Sequence, residues 1–520
     1  MVDVRKRKAL RSIADPFVVA LPTGTSTLTR LYPTEDEEAG LRMMGRYLGR
    51  LYRMDLAIRV GIGTVPVDLN RRADRKRELT KYTSSRWAGS ITRAAEDQYQ
   101  LGMRALAADC LSLDAATRKL RQRLAVPVGT KNDAGVAGYR NTRERTAKTV
   151  RLTVLEKRLS AAERRKTLGT PSIVTGGKQL WRARNNLAAA ALTAAQWRER
   201  WDAARMFLTA DGELNAPFGN QTIRVETGGV LVIKVPEDLV DLTGVKLRLS
   251  VPVGFTLRGE EWADRAKTNQ AIRYDITFDT AKNRWYLRAS WGYGDTRTIP
   301  PLSALQTGRI IGVDLNADHL TAGIVDRSGN PVGVPAIIPL TVDGLPAGTR
   351  DGHLRQAITD LLDLATDAGA TAIAIENLNF AGPRATGRET MGRGNRGKRF
   401  RRTVAGIPTG QFRERLTAMA ANRGIYIIAV DPAYTSRWGG QHWTKPLQQR
   451  TSGSTVTRHQ AAAVAIGRRA HGHRIKRRTD GNRTQQRMRP DLPTTGRTMK
   501  PVDTAPGTGL PRRQPPKLTG

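Results

Sequence analysis

Residues 308–333, GRIIGVDLNADHLTAGIVDRSGNPVG, decide how the rest of the chain is read. Ile310, Ile311 and Val313 make a short apolar run that ends on Asp314. A second run, Leu320 to Val325, follows after a few polar residues, and a Gly-Asn pair then turns the chain into a third segment. Short apolar runs bounded by turn residues predict strands, so this stretch predicts two strands, a turn and a third strand. A carboxylate that follows such a run must be paired, bound to a metal or placed at a strand end, because burying an isolated charge is costly.

Downstream, strands and helices alternate. Leu354–Ala370, LRQAITDLLDLATDAGA, has helical periodicity; Thr371–Leu378, TAIAIENL, is a short buried strand. Phe412–Gly424 predicts a helix, Ile425–Pro432 (IYIIAVDP) a strand, and Thr457–Gly472 (TRHQAAAVAIGRRAHG) a final helix. The order βββαβαβα over 301–473 is that of an α/β RNase H-like (RuvC) domain. Two-metal phosphodiester chemistry needs several carboxylates converging on two Mg²⁺ ions roughly 3.5–4 Å apart. In this fold they come from the first strand, the end of the fourth strand and the last helix. Asp314 and Glu376 fall at the two strand positions, and His459 stands at the helix position. Asp431 ends another strand, where the Pro432 that follows it favours a turn.

The series GVDLN, IENL, VDPAYTSRWG and RHQAAAVAIG resembles the RuvC motifs of TnpB proteins and type V CRISPR effectors. The resemblance implies a guide RNA, a double-stranded DNA target read by RNA pairing, and catalytic, metal-binding roles for Asp314, Glu376 and His459. Two departures qualify it. The family's third motif carries an Asp ligand where this chain has His459, and Ala461–Ala463 supply no acid. The family also carries two Cys-x-x-Cys pairs between Tyr434 and His459, whereas Cys110 is the chain's one cysteine, so no cysteine zinc site is expected. Hard cations prefer oxygen ligands, so His459 leaves one weak Mg²⁺ site and a second that is incomplete. Some RuvC-type nucleases do place a His on this helix. In these losses the chain resembles compact type V-M effectors that bind target DNA without cutting it well.

Upstream, residues 1–33 hold one β-like segment, PFVVALPTGTSTLTRLYP, and 34–205 read as helical, with NNLAAAALTAAQWRERWDAARMFL (Asn185–Leu208) as a strong helix. Residues 220–295 switch to a period of two through Val245, Leu247 and Leu249 and through Ile272, Tyr274, Ile276 and Phe278, predicting a small β-domain with one polar, basic face. By the resemblance, 1–33 and 206–300 form a wedge-like β-domain interrupted by a helical recognition lobe. Residues 474–520, rich in Pro, Gly, Thr and Arg, predict a disordered basic tail.

Charge agrees with a polyanionic partner. The 520 residues carry 86 Lys and Arg against 47 acids, a formal net charge of +39. Such an excess repels itself unless a polyanion neutralises it, and phosphates release counterions when Lys or Arg meets them. The densest cluster is RATGRETMGRGNRGKRFRR (384–402), where Arg393, Arg396, Lys398, Arg399, Arg401 and Arg402 stand among glycines that let backbone approach phosphate. A clamp on a guide–target heteroduplex is expected there; a solvated loop is the simpler alternative. Residues 392–397 also match GxGxxG, and through Lys398 a P-loop. No strand leads into the match, and Arg399 replaces the Ser or Thr that would hold Mg²⁺, so no nucleotide cofactor is expected. Trp438, His442 and Trp443 either stack on unpaired bases or pack a shortened loop, the second being favoured. Neither a signal-peptide core nor a membrane span is present, and a cytoplasmic protein is expected.

Three functions compete on this reading. The first is an RNA-guided double-stranded DNA-binding protein with a degenerate RuvC nuclease site. The second is a transposon-encoded RNA-guided endonuclease of the TnpB type. The third, a guide-free resolvase or integrase, is disfavoured by the large basic lobe of about 300 residues before Asp314.

Overall fold

The computed structural model describes residues 12–294, 298–342, 344–377, 409–451 and 455–473. The basic cluster 384–402 and the tail 474–520 lie outside them. The β-like segment near the N-terminus divides in two. Strand β1 (Phe17–Val18) pairs antiparallel with a strand more than 400 residues away, and β2 (Gly24–Leu31) enters a different sheet. Pro22 lies between them; a proline cannot donate to a ladder, so the strand ends before it.

Helices follow, chiefly Glu35–Ile62, Ser85–Leu124 and Thr142–Leu168. Thr34 and Glu37 form a capping box that starts the first, and the Ser84 and Asn141 side chains cap the other two. The continuous helix expected over Asn185–Leu208 is not formed. A single turn at Ala188–Ala190 ends on Ala191 at φ 50°, and a fresh helix, Ala194–Ala203, begins at the capping box of Thr193 and Gln196. Alanine content favoured one helix, but the box supplies a competing start signal.

Strands β3 (Thr209–Ala210), β4 (Ile223–Val225), β5 (Leu231–Lys234), β6 (Lys246–Arg248), β7 (Arg273–Asp279) and β8 (Arg284–Gly292) form two sheets with β2, in the orders β2-β8-β7-β3 and β4-β5-β6. Their shared core joins Tyr274, Leu287 and Trp291 to Leu41, Met44 and Leu48 of the first helix and to Trp87 and Ile91 of the second. The polar, basic face expected on this region is partly internal. Arg273 is buried, pairing with Asp211 at 3.2 Å and Asp275 at 3.5 Å, and Asp275 accepts from the Thr209 hydroxyl at 2.6 Å. Farther out, helices Ser85–Leu124 and Thr142–Leu168 pack through Leu106, Cys110, Leu113 and Leu155.

The remaining strands are β9 (Arg309–Leu315), β10 (His319–Val325), β11 (Ala336–Pro339), β12 (Ala370–Glu376) and β13 (Tyr426–Val430). With β1 they form a six-stranded sheet in the order β1-β13-β12-β9-β10-β11. β9, β10 and β11 are antiparallel neighbours, while β12 runs parallel to both β9 and β13. This order and connectivity are those of an RNase H-like fold, with β1 added at one edge. The turn after β10 is held by Asp326, whose carboxylate accepts from Asn330 N at 2.8 Å, and Gly329 supplies φ 81°. The third strand starts later than the turn suggests, at Ala336, because residues 331–335 make only an isolated bridge at Pro331.

Both faces of this sheet are covered. Ile311, Val313, Ile373, Ile375 and Ile427 face helices Ala347–Asp367 and Thr409–Ala421. Ile310, Ala372, Ala374, Ile428 and Val430 face Ile466 and Ala470 of helix Arg458–Ala470. Double burial explains why the strand sequences read as continuous apolar runs. Gly312 fixes how close that helix comes, since a Cβ there would lie 2.1 Å from Ala463 O and 2.4 Å from Gly467 N.

Candidate functional site

The parallel register of β9 and β12 pairs Val313 with Ile375, which sets Asp314 and Glu376 side by side at the C-terminal ends of neighbouring strands. Asp314 is 5% exposed, so its charge needs partners. Asn316 Nδ2 donates to Asp314 Oδ2 at 3.1 Å, and His459 Nδ1 lies 2.7 Å from the same oxygen. An ionised carboxylate only accepts, so toward Asp314 the His459 Nδ1 is the donor. His459 occupies the first turn of helix Arg458–Ala470, which begins at a capping box between Thr457 and Gln460; Gln460 also donates to Pro335 O at 2.8 Å. The helix start is therefore anchored twice, and His459 is held against the sheet.

His319, at the start of β10, packs edge-on against the His459 ring, with centroids 5.2 Å apart. Its Nδ1 lies 2.7 Å from Asp318 Oδ1, and its Nε2 lies 3.3 Å from Asn316 Nδ2. Asn316 thus bridges the Asp314 carboxylate and the His319 ring.

Glu376 is half-buried and has a different partner. The Thr435 hydroxyl, itself buried, donates to Glu376 Oε1. Burial pushes the Glu376 carboxyl up to about 7; the Thr435 hydrogen bond and Arg469 oppose the rise, while Asp314 and Asp431 add to it. Asp431 has the turn role its proline suggested: Oδ1 accepts from Ala433 N at 2.9 Å and Oδ2 from Ala14 N at 3.0 Å.

The sequence-predicted set is therefore brought together only in part. Asp314 meets His459 directly, and Glu376 stands beside Asp314 in the sheet but bonds Thr435. Among the described residues no three His, Cys, Asp or Glu side chains form a group that could hold a metal ion. Three features bear on the expected Mg²⁺ site: His459 Nδ1 lies against an Asp314 oxygen, burial raises the Glu376 carboxyl to about 7, and the helix supplies alanines where an acid would stand. Asn316, His319 and Thr435 were not singled out from the sequence. All three lie in or beside GVDLN and VDPAYTS, and the polar residues of those motifs were the available signal.

Trp438, Trp443 and Tyr434 make contacts within the protein. Tyr434 stacks on Trp438 with centroids 5.2 Å apart, and the Arg468 guanidinium lies 5.0 Å from the Trp443 ring centroid. The six clamp residues, Arg393 to Arg402, fall outside the described residues.

Neither a protein-family model nor a curated protein sequence matches the chain. Two solved structures of Thermus thermophilus RuvC are similar to it. One, in complex with a Holliday junction substrate, is 17% identical over 31% of this chain and 91% of that one, with a TM-score of 0.22. The other is 15% identical over 32% of this chain and 92% of that one, with a TM-score of 0.21. The strand order, rather than this likeness, carries the RNase H-like assignment. No helix among the described residues is long and apolar enough to cross a membrane.

Proposed function

We infer that this protein binds double-stranded DNA under the direction of a guide RNA, and that its RuvC-like site cuts the target slowly or not at all. The observation that carries the reading is the pairing of His459 with Asp314 at the junction of the first RNase H-like strand and the last helix. The strand acids keep the arrangement of a nuclease ancestor, while the helix contributes a proton donor where a third anionic ligand would be needed. The motif series GVDLN, IENL and VDPAYTSRWG supports the TnpB and type V lineage, and the +39 charge supports a nucleic-acid partner. The wedge-like and recognition-lobe roles of the N-terminal sheets and helices belong to the same proposal, as does the clamp at 384–402. Target binding in such a protein derives from phosphate contacts and base pairing, which do not require a metal at Asp314.

The test is to purify the chain, sequence any RNA that accompanies it, and present the matching duplex. A single RNA species and stable target binding without cleavage are expected. Heterogeneous fragments would remove the guide from the reading. Robust wild-type cleavage that Asp314→Ala abolishes would establish the alternative, an active TnpB-type endonuclease.

A further inference from the structure

Helices Ser85–Leu124, Thr142–Leu168, Lys178–Ala183 and Ala194–Ala203 line an open cleft of about 800 Å³. A volume of about 300–1,000 Å³ suits a small organic molecule or one to two nucleotides. Four cations line it: Arg158, Arg165, Lys178 and Arg182. Arg158 and Arg165 are two helical turns apart and so share a face. All four are exposed, and no ion pair joins any of them to a carboxylate among the described residues. One acid, Asp109, lies in the lining. A concave surface of this charge raises the local concentration of an anionic ligand.

Two indoles complete the walls. Trp201 is a built wall: it stacks on Trp197 at 5.5 Å, Arg205 lies 4.9 Å from its centroid, and the Trp197 indole donates to Leu180 O at 2.8 Å. Gly176, at φ 93°, admits this arrangement, since a Cβ there would lie 3.0 Å from the Trp201 ring. Trp181 is different. It is 37% exposed on a short helix, with Arg184 over its ring at 4.3 Å. A large aromatic left exposed beside unpaired cations is suited to a ligand that carries both a π-face and negative charge. An acidic peptide without aromatic residues lacks the π-face, and a duplex hides its base faces within its own stack.

We propose that this cleft takes unpaired nucleotides of a single strand, with a base stacked on Trp181 and the flanking phosphates held by Arg158, Arg165, Lys178 and Arg182. The site differs from the Asp314 site and from the basic cluster at 384–402, and it requires no guide.

The full chain, freed of nucleic acid in high salt, is titrated with oligothymidylate and oligouridylate of about 15 nucleotides and with a duplex of equal length. Trp181→Ala should weaken binding of the single strands about tenfold and leave the duplex unchanged; Trp181→Phe should restore most of the affinity. Arg158→Gln with Arg165→Gln should flatten the salt dependence of single-strand binding by about 0.7 for each phosphate no longer neutralised. Equal effects on the two oligomers mean that backbone and base suffice, and a larger effect on one identifies DNA or RNA as the strand held; both outcomes support the site. Single-strand affinity that is unchanged in Trp181→Ala, or that falls equally for duplex, overturns it. Because the assay contains no guide, failure here leaves the guided reading intact, and absence of a guide leaves this site intact.

Discussion

His459 Nδ1 stands 2.7 Å from Asp314 Oδ2, joining the first turn of helix Arg458–Ala470 to the neighbouring strand. The contact is a charge-assisted hydrogen bond to a buried carboxylate, and it satisfies a group that would otherwise be destabilising. The same bond competes with any cation for that oxygen. One residue thus stabilises the fold in this region and, under the proposed function, weakens its chemistry.

Replacing His459 by Asp should reverse that balance. Without metal, His459→Asp sets two carboxylates against each other and should lower the melting temperature. Added Mg²⁺ should raise the melting temperature of His459→Asp well beyond the shift it gives the wild type, because ligands that bind only the native state stabilise it. Thermal unfolding with and without Mg²⁺ measures both. Equal shifts for the two proteins would show that His459 does not limit metal binding.

Gly312 is expected to be as important as the charged residues for this geometry. Gly312→Ala drives a methyl group into the backbone of helix Arg458–Ala470 at Ala463 and Gly467. Overpacking of this kind costs about 1–3 kcal/mol, and more where only backbone can yield. Denaturant unfolding should show a loss of that size, and imidazole NMR shifts should show His459 displaced from Asp314. A variant as stable as wild type would mean that the helix can retreat without cost.

The RNase H-like part was legible because its strands are buried on both faces. Apolar runs such as IAI at 373–375 leave few alternatives, and Asp314 and Glu376 interrupt them where the sheet ends. The partner of Asp314 was less legible: the helix frame placed His459, but only the register of the helix start against β9 shows that its proton meets Oδ2. Thr435 was harder still, since a threonine after a turn carries no local sign that it will bond a half-buried Glu 59 residues earlier. The same limit explains β1. Two residues of a β-like segment choose a distant sheet edge for reasons that lie in β13 rather than in their own sequence.

The basic cluster should act through phosphate alone. Replacing Arg393, Arg396, Lys398, Arg399, Arg401 and Arg402 by Ala should weaken binding to all duplex sequences alike. It should also reduce the slope of log affinity against log salt by about 0.9 for each phosphate that these side chains neutralise. Fluorescence anisotropy over a salt series measures the slope. An unchanged slope would return the cluster to a solvated surface.

Glu376 should make stability depend on pH in a direction opposite to that of a salt-bridged carboxylate. Burial raises its native value to about 7 from an ordinary 4.5. Below 4.5 both native and unfolded chains hold the proton, and the group contributes no difference. Between 4.5 and 7 the native chain holds more protons than the unfolded one, so stability falls as pH rises through that window. Above about 7 both forms are ionised, and the accumulated loss is roughly 3 kcal/mol at about 1.4 kcal/mol per unit. Glu376→Gln keeps an oxygen that accepts from Thr435 and removes the ionisation. Relative to wild type, its stability advantage should therefore grow by up to about 3 kcal/mol between about pH 4 and about pH 8. Denaturant titrations in EDTA at both pH values measure this difference. A variant whose offset from wild type is the same at both would show that Glu376 ionises in the native protein as it does in water.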